Sequence, residues 1–237
     1  MLVRHGESMG NRADAAARDA GAEVLDLSVR DADVELSGTG RDQAAALGRW
    51  LRERDAGDRP TVVVSSPYRR AAETAAIAVE ALGLDVEHDE RLRERDLGVF
   101  DGLTGLGIRS RFPEEAERRE KLGKFYYQPP SGESWADVAQ RVRALLTDLR
   151  HGYDGERVWL FSHQAVIMTF RYVLEAVEEA DLLDLDRRTP IPNASVTTYR
   201  RAGAHLDLVT FADTTAVDRK DVDVTHEESQ GTADDES

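Results

Sequence analysis

The chain contains no cysteine, so disulfide bonds, thiolate catalysis and cysteine-based zinc sites are excluded. Long apolar runs are also absent, because no stretch approaches the ~20 residues that cross a bilayer. The first residues do not have the pattern of a signal peptide. We therefore expect a cytoplasmic protein with no membrane partner.

Positive charge is scarce. Lys and Arg together number 31 against 46 Asp and Glu, which gives a formal net charge of −15. Residues 213–237 contain nine acidic and two basic residues and so carry −7 of that charge. The rest of the chain is acidic as well, which disfavours a nucleic acid as partner. An acidic protein that binds a small anion must concentrate its arginines at the binding site.

The length of 237 residues, with 41% hydrophobic and 32% charged residues, is typical of one soluble globular domain. We expect a catalytic domain over residues 1–212, with a lid-like insertion at about 103–133. Because its composition is polar and acidic, the segment 213–237 is predicted to be a disordered tail.

Apolar strand patterns alternate with helical patterns along this domain. Strands are predicted at residues 1–3, 61–65, 158–162, 193–199 and 206–211, and helices begin near residues 37, 67 and 164. This alternation indicates an α/β sheet covered by helices on both faces.

Four separated motifs contain the candidate chemistry. They are residues 2–11 (LVRHGESMGN), 65–75 (SSPYRRAAETA), 91–98 (RLRERDLG) and 161–167 (FSHQAVI). Three of them begin where a predicted strand ends, and open α/β sheets bind ligands outside the carboxyl ends of their strands. Helix N-termini at that edge also supply N–H donors for anions. We therefore expect His5, Arg70 and His163 to meet there.

In this order, and together with residues 36–43 (LSGTGRDQ) and 132–134 (GES), the motifs resemble the histidine phosphatase superfamily, which includes the cofactor-dependent phosphoglycerate mutases. The resemblance covers residues 1–212. It implies a phosphoglycerate mutase-like fold, a three-layer α/β/α sandwich with a mostly parallel central sheet. It also implies phosphoryl transfer through a phosphohistidine.

The resemblance assigns five catalytic residues. His5 is the candidate nucleophile, and its other ring nitrogen needs a fixed acceptor, for which a backbone carbonyl near Gly6 is suitable. Arg4, Arg70 and His163 would bind the phosphoryl oxygens, and the anion would favour a cationic His163. Glu94 matches the family's general acid.

Further substrate-binding candidates are Asn11, Ser8, Gln164 and Arg95. For several positions a second interpretation stays open. Arg69 competes with Arg70, Glu94 lies in a charged run that can be a solvated face, and Ser8 can serve a turn. No metal ligand set and no cofactor are expected.

The insertion at 103–133 combines basic and aromatic residues. These are Arg109, Arg111, Arg118, Arg119, Lys121, Lys124, Phe112, Phe125, Tyr126 and Tyr127. Such a segment can cover a site and select its substrate, or it can be a solvated helix. Ser134, just after it, is equally suited to a helix cap and to a ligand contact.

The expected function is a metal-independent phosphomonoester hydrolase that acts on a small phosphorylated metabolite. A phosphoglycerate mutase is the alternative, because residues 93–98 (RERDLG) and 102–106 (GLTGL) look mutase-like. The stretch between Leu106 and Gly132 is shorter than in the mutases, which favours hydrolysis by water. A phosphate-binding protein without turnover is the third hypothesis, although a binder has no use for Glu94.

Overall fold

The protein is built on a six-stranded sheet, and the computed structural model describes residues 1–203, 205–218 and 222–226. The strands are β1 (Leu2–Arg4), β2 (Val62–Ser65), β3 (Glu87–His88), β4 (Val158–Ser162), β5 (Val196–Ala202) and β6 (His205–Asp213). Their order in the sheet is β3-β2-β4-β1-β5-β6. Neighbours from β3 to β1 are parallel, while β5 is antiparallel to both β1 and β6.

The helices of the described residues lie on the two faces of this sheet or above its edge. They are α1 (Met9–Asp19), α2 (Gly38–Glu53), α3 (Arg69–Val79), α4 (Gly105–Arg111), α5 (Pro113–Leu122), α6 (Trp135–Gly152), α7 (Gln164–Glu175), α8 (Glu179–Arg188) and α9 (Thr215–Asp218). None of these helices is long and apolar enough to cross a membrane.

The core lies on both sides of the sheet, because successive side chains of a strand point to opposite faces. On one face Leu2 and Leu160 pack with the apolar sides of α6 and α7. On the other face Val3 and Trp159 pack with α2, α3 and α9. The predicted three-layer α/β/α sandwich with a mostly parallel central sheet is therefore confirmed.

The central strand β1 has only three residues but pairs on both sides. Leu2 lies opposite Leu160 of β4 in a parallel pair and opposite Thr197 of β5 in an antiparallel pair. Because β1, β2 and β4 run in the same direction, their carboxyl ends lie at one edge of the sheet. The residues that follow these three strands are thereby brought close to one another.

The segment predicted as a disordered tail differs from that expectation where it is described. Residues 215–218 form α9, and Ala216 and Val217 are buried in the core beside α2. Two apolar side chains are enough to dock a single turn onto a helix, although the segment as a whole is acidic. Residues 222–226 also make hydrogen bonds to the domain. The rest of the predicted tail, residues 219–221 and 227–237, lies outside the described residues.

Candidate active site

Two histidines lie side by side at the carboxyl edge of the sheet. Arg4 of β1 and Ser162 of β4 are paired in register, so the next residues, His5 and His163, leave adjacent strands together. Their ring centroids are 5.1 Å apart, and the residues are only 3% and 0% exposed. The sheet thus brings together two imidazoles that are 158 positions apart in the sequence.

The loop after β1 is held by backbone contacts. His5 N donates to Ser162 O at 3.0 Å, and Gly6 N donates to Thr74 Oγ1 at 3.0 Å. A Cβ atom on Gly6 would lie 2.5 Å from Gly40 O, so the loop rests directly on the first turn of α2 and needs glycine here. His5 Nδ1 lies 2.7 Å from Gly6 O, which confirms the predicted backbone acceptor. Since a carbonyl only accepts, Nδ1 carries the proton and Nε2 keeps its lone pair.

The environment of His5 favours the neutral imidazole. Burial holds the pKa of His5 well below its usual value, and the positive charges of Arg70 and Arg4 lower it further. The hydrogen bond to Gly6 opposes this effect only in part. A neutral ring is the form that can attack phosphorus, because protonation of Nε2 would remove the nucleophilic lone pair.

His163 presents one engaged and one open ring nitrogen. Nε2 lies 2.9 Å from Ser66 Oγ, whereas Nδ1 is buried and has no hydrogen-bond partner among the described residues. Burial and the nearby charge of Arg70 hold the pKa of His163 well below its usual value. A bound phosphate would oppose this shift by placing negative charge beside the ring. The cationic His163 expected for the complex therefore depends on the anion itself.

Two arginines flank the histidines. Arg4 ends β1, is buried, and donates to Ile191 O. Arg70, in the first turn of α3, is also buried and pairs with Asp31, with 2.9 Å between Nη1 and Oδ1. Arg69 is exposed and pairs with Glu35 at 2.8 Å, so burial favours Arg70 over its neighbour. Sequence reasoning missed Asp31, because nothing in its loop indicates which cation it meets.

Glu94 lies on a loop that is anchored to the same edge of the sheet. Ser162 Oγ donates to Leu92 O at 2.8 Å, which places the loop beside the strand that carries His163. Glu94 is partly exposed, and its Oε1 accepts a hydrogen bond from Arg95 N at 2.8 Å. The loop is thus fixed beside β4 two residues before Glu94, and the general-acid role of Glu94 stays a prediction.

Glu133 holds that loop in place. Its carboxylate pairs with Arg93 at 2.6 Å and accepts a hydrogen bond from Asp96 N at 3.1 Å. Arg141 Nε lies 3.1 Å from Glu133 Oε1, and its Nη2 donates to Glu94 O at 3.3 Å. Sequence reasoning included Glu133 in the GES motif but gave it no role. Its role is to brace the loop that carries Glu94.

The first two substrate-binding candidates are occupied with a helix cap. Ser8 Oγ accepts a hydrogen bond from Asn11 N at 3.1 Å, and Asn11 Oδ1 accepts one from Ser8 N at 3.0 Å. This reciprocal pair is the capping box of α1. The local role considered for Ser8 is thus present. Of the two roles open for Ser134, the structure shows the cap: Ser134 caps α6 in a reciprocal pair with Asp137. Phosphate contacts of Ser8 and Asn11 stay a prediction.

The other two candidates face a different region. Gln164 begins α7, where backbone N–H groups are available to an anion, and its Nε2 donates to Asp186 at 3.2 Å. Arg95 stacks over Trp135, with 5.8 Å from the guanidinium carbon to the ring centroid. Arg95 also lines a cleft of about 710 Å³, next to the loop that carries Glu94.

The predicted insertion forms one wall of this cleft. Helices α4 and α5 supply Arg109 and Arg119, and the following turn supplies Lys124. The helix α5 has no buried residue, whereas Phe125 and Tyr127 after it are buried. The helix α5 therefore agrees with the solvated interpretation, and the aromatic residues after it anchor the segment to the domain. That the insertion covers the site stays a prediction.

The basic side chains of the cleft are close enough to repel one another. The pKa of Arg95 is lowered by burial and by Arg119, and burial lowers the pKa of Arg119 as well. Lys124 pairs with the buried Asp186 at 3.2 Å.

A second cavity of about 720 Å³ lies at the opposite edge of the sheet, around Val158, away from the histidines. No group of three or more metal-ligating side chains occurs among the residues that the structure describes.

Comparisons with known proteins agree with this geometry. The family model of the histidine phosphatase superfamily (branch 1) matches residues 1–214. A bifunctional protein of Mycobacterium tuberculosis is 39% identical over 147 residues, which are 60% of this chain but only 38% of that protein. A 2,3-bisphosphoglycerate-dependent phosphoglycerate mutase of Methylorubrum populi is 32% identical over 197 residues, 81% of this chain and 86% of the mutase.

A solved structure is similar over most of the chain. It is a mycobacterial glucosyl-3-phosphoglycerate phosphatase in complex with VO3, with a TM-score of 0.71 and 29% sequence identity. The match covers 90% of this chain and 97% of that chain.

Proposed function

Because the chain belongs to branch 1 of the histidine phosphatase superfamily, we propose that it is a metal-independent phosphomonoester phosphatase that acts through a phosphohistidine. The observation that carries the proposal is the buried pair of His5 and His163. His5 is neutral with Nε2 unprotonated, and the adjacent His163 has a buried Nδ1 with no hydrogen-bond partner among the described residues. The neutral His5 is the form that attacks phosphorus, and a bound phosphate would favour the protonated His163 that stabilises its oxygens.

The reaction proceeds in two displacements. In the first, His5 Nε2 forms a bond to phosphorus while the bond from phosphorus to the leaving oxygen breaks, and Glu94 donates a proton to that oxygen. In the second, water attacks the phosphohistidine, Glu94 takes the proton from water, and the bond between Nε2 and phosphorus breaks. Inorganic phosphate leaves, and both residues return to their initial states.

Charge stabilisation during transfer falls to three side chains. Arg4 and Arg70 are permanent cations, and both lie close enough to lower the pKa of the two histidines. They would bind the equatorial oxygens of the phosphoryl group, with His163 Nδ1 as a further donor. Ser66, at the other ring nitrogen, would hold the His163 ring in its orientation.

The proposed substrate class is a small phosphorylated metabolite that carries a second anionic group. Support comes from the cleft beside the Glu94 loop, where Arg95, Arg119 and Lys124 converge. The related mutase and the similar phosphatase structure are both named for phosphoglycerate compounds, which combine a phosphate with a carboxylate. A substrate of this kind would place its phosphate at His5 and its second anion in the cleft.

A mutase is the second candidate, since the Methylorubrum populi enzyme matches 81% of the chain. In that case a bound phosphorylated acid, rather than water, takes the phosphoryl group from His5. The reaction product distinguishes the two functions, because a mutase yields an isomer of its substrate and a phosphatase yields inorganic phosphate. A binding protein would yield neither.

The test is phosphate release from p-nitrophenyl phosphate and from a panel of phosphorylated metabolites, all with EDTA present. We expect turnover in the presence of chelator and an acid-labile phosphoryl label on the protein. His5→Ala should remove both, while His151→Ala, an exposed histidine bonded only to its own helix, should remove neither. Isomerisation of 3-phosphoglycerate faster than hydrolysis, with 2,3-bisphosphoglycerate supplied, would establish the mutase instead.

A further inference from the structure

Two fully buried amide side chains hold the loop that follows β1, residues 5–8, which we call the nucleophile loop. Asn193 Nδ2 donates to His5 O at 3.1 Å, and Gln43 Oε1 accepts from Glu7 N at 2.8 Å. Both amide residues are 0% exposed. The peptide groups on either side of Gly6 are therefore fixed by side chains from α2 and from the segment before β5.

Both amides meet the same residue on their other side. Gln43 Nε2 donates to Thr225 Oγ1 at 2.9 Å, and Thr225 Oγ1 donates to Asn193 Oδ1 at 3.0 Å. The backbone adds two contacts, from Asn193 N to Thr225 O and from Gln43 Nε2 to Asp223 O, both at 2.8 Å. Residues 222–226 are thus bonded to both amides that hold the nucleophile loop.

The hydroxyl of Thr225 links the two amides in the orientation that their backbone partners require. An amide oxygen only accepts and an amide NH₂ only donates, whereas a hydroxyl does both. His5 O requires the NH₂ of Asn193, and Asp223 O and Glu7 N orient Gln43. In this arrangement Thr225 Oγ1 accepts from Gln43 and is the donor to Asn193 Oδ1. Without the hydroxyl, Asn193 Oδ1 loses its donor in a site where unpaired polar atoms are costly.

We propose that Thr225 is a positioning residue of the active site, which acts on His5 through Asn193 and Gln43. The inference rests on the proposed function, since it concerns the rate at which His5 attacks phosphorus. Attack in line requires Nε2 to be placed within a fraction of an ångström, and the backbone of the nucleophile loop sets that place. Among the described residues, the hydroxyl of Thr225 hydrogen-bonds to Gln43 and Asn193, and not to Arg70 or His163, which would bind the phosphate.

The kinetic test compares Thr225→Val, which keeps the shape but removes the hydroxyl, with Thr225→Ser, which keeps the hydroxyl. We expect Thr225→Val to lower the single-turnover rate of phosphohistidine formation about tenfold. The dissociation constant for inorganic phosphate should stay unchanged, and Thr225→Ser should stay near the wild-type rate. A merely structural role would lower the melting temperature of both variants and leave the rate unchanged.

A second measurement does not depend on turnover. Amide hydrogen exchange of the full chain should be faster at Glu7 in Thr225→Val than in Thr225→Ser, while the amides of β4 exchange at the same rate in both. Unchanged exchange at Glu7, or an equal increase in both variants, would overturn the proposal. If the wild-type protein shows no phosphatase activity, the proposed function fails, yet the exchange result still decides whether Thr225 holds the nucleophile loop.

Discussion

Arg70 and Asp31 form a bidentate pair beside the two histidines. Nη1 lies 2.9 Å from Oδ1 and Nη2 lies 3.2 Å from Oδ2, and Nη1 also donates to the backbone oxygen of Asp31 at 2.7 Å. The arginine side chain is 6% exposed, whereas the aspartate side chain is 41% exposed. The guanidinium that we assign to phosphate thus already has an anionic partner, and an incoming phosphate meets that negative charge.

Replacing Asp31 by Asn should strengthen phosphate binding. The amide oxygen still accepts from Arg70, but the charge that repels phosphate is gone. Half-exposed pairs of this kind contribute ~0.5–1 kcal/mol, so the inhibition constant of inorganic phosphate should fall about two- to fivefold. Asp33→Asn is the matched control, because Asp33 lies in the same turn and pairs with the exposed Arg30. Weaker phosphate binding in Asp31→Asn would show that the carboxylate mainly orients Arg70.

The stability of the protein should fall as the pH falls below about 6.5, the ordinary pKa of histidine. Burial holds the pKa values of His5 and His163 well below that value in the folded protein. The unfolded chain therefore binds more protons in the window below 6.5, and acid favours unfolding by up to about 1.4 kcal/mol per pH unit for each ring.

Thermal unfolding between pH 7.5 and 5.5 measures this effect. His5→Gln should reduce the loss of melting temperature over this range, because one of the two titrating rings is gone. His151→Ala should leave the loss unchanged, since that histidine is exposed. Added inorganic phosphate should also reduce the loss by favouring the protonated His163. A wild-type melting temperature that stays constant down to pH 5.5 would contradict the assignment of neutral buried rings.

Replacing Glu94 by Gln should affect substrates according to their leaving groups. An alkyl phosphate needs a proton on its leaving oxygen, and general acids contribute about 10²- to 10⁴-fold to such steps. A p-nitrophenolate leaves without one, so kcat/KM for p-nitrophenyl phosphate should fall far less than kcat/KM for an alkyl phosphate. Equal losses on both substrates would assign Glu94 a binding or structural role.

Removing a positive charge from the cleft should raise KM only for substrates that carry a second anionic group. Arg119→Ala should raise KM about tenfold for a phosphate ester that carries a carboxylate, which corresponds to a charge-assisted hydrogen bond. KM for p-nitrophenyl phosphate should not change. Arg118→Ala is the control, because Arg118 lies one position away on α5 but is exposed and does not line the cleft. The same KM change for both substrates would place the cleft outside the substrate site.

The meeting of His5 and His163 could be predicted from the sequence because each residue directly follows a strand. The run VWLFS matches β4 (Val158–Ser162), and a strand was predicted directly before Arg4 and His5. Parallel strands then bring the next residues together, which is a rule of topology and not of local sequence. The choice of Arg70 over Arg69 agrees with the burial of one and the exposure of the other.

The residues that sequence reasoning missed are brought in by loops. Asp31 lies in a short turn whose path depends on the helices around it, and Thr225 follows a polar segment with no apolar pattern. The strand β3 (Glu87–His88) was also missed, because two exposed polar residues carry no strand signal. Contacts of this kind depend on tertiary packing, which periodicity does not encode.

The close approach of Gly6 to Gly40 reverses an ordinary expectation about helices. Glycine inside a helix costs about 1 kcal/mol relative to alanine, so Gly40→Ala in α2 would normally count as a stabilising replacement. Here the added methyl carbon would lie 2.0 Å from Glu7 O, inside the backbone of the loop that carries the attacking imidazole. Helix propensity alone would therefore rank Gly40→Ala as stabilising. In this protein the added carbon atom would instead displace the loop that carries His5.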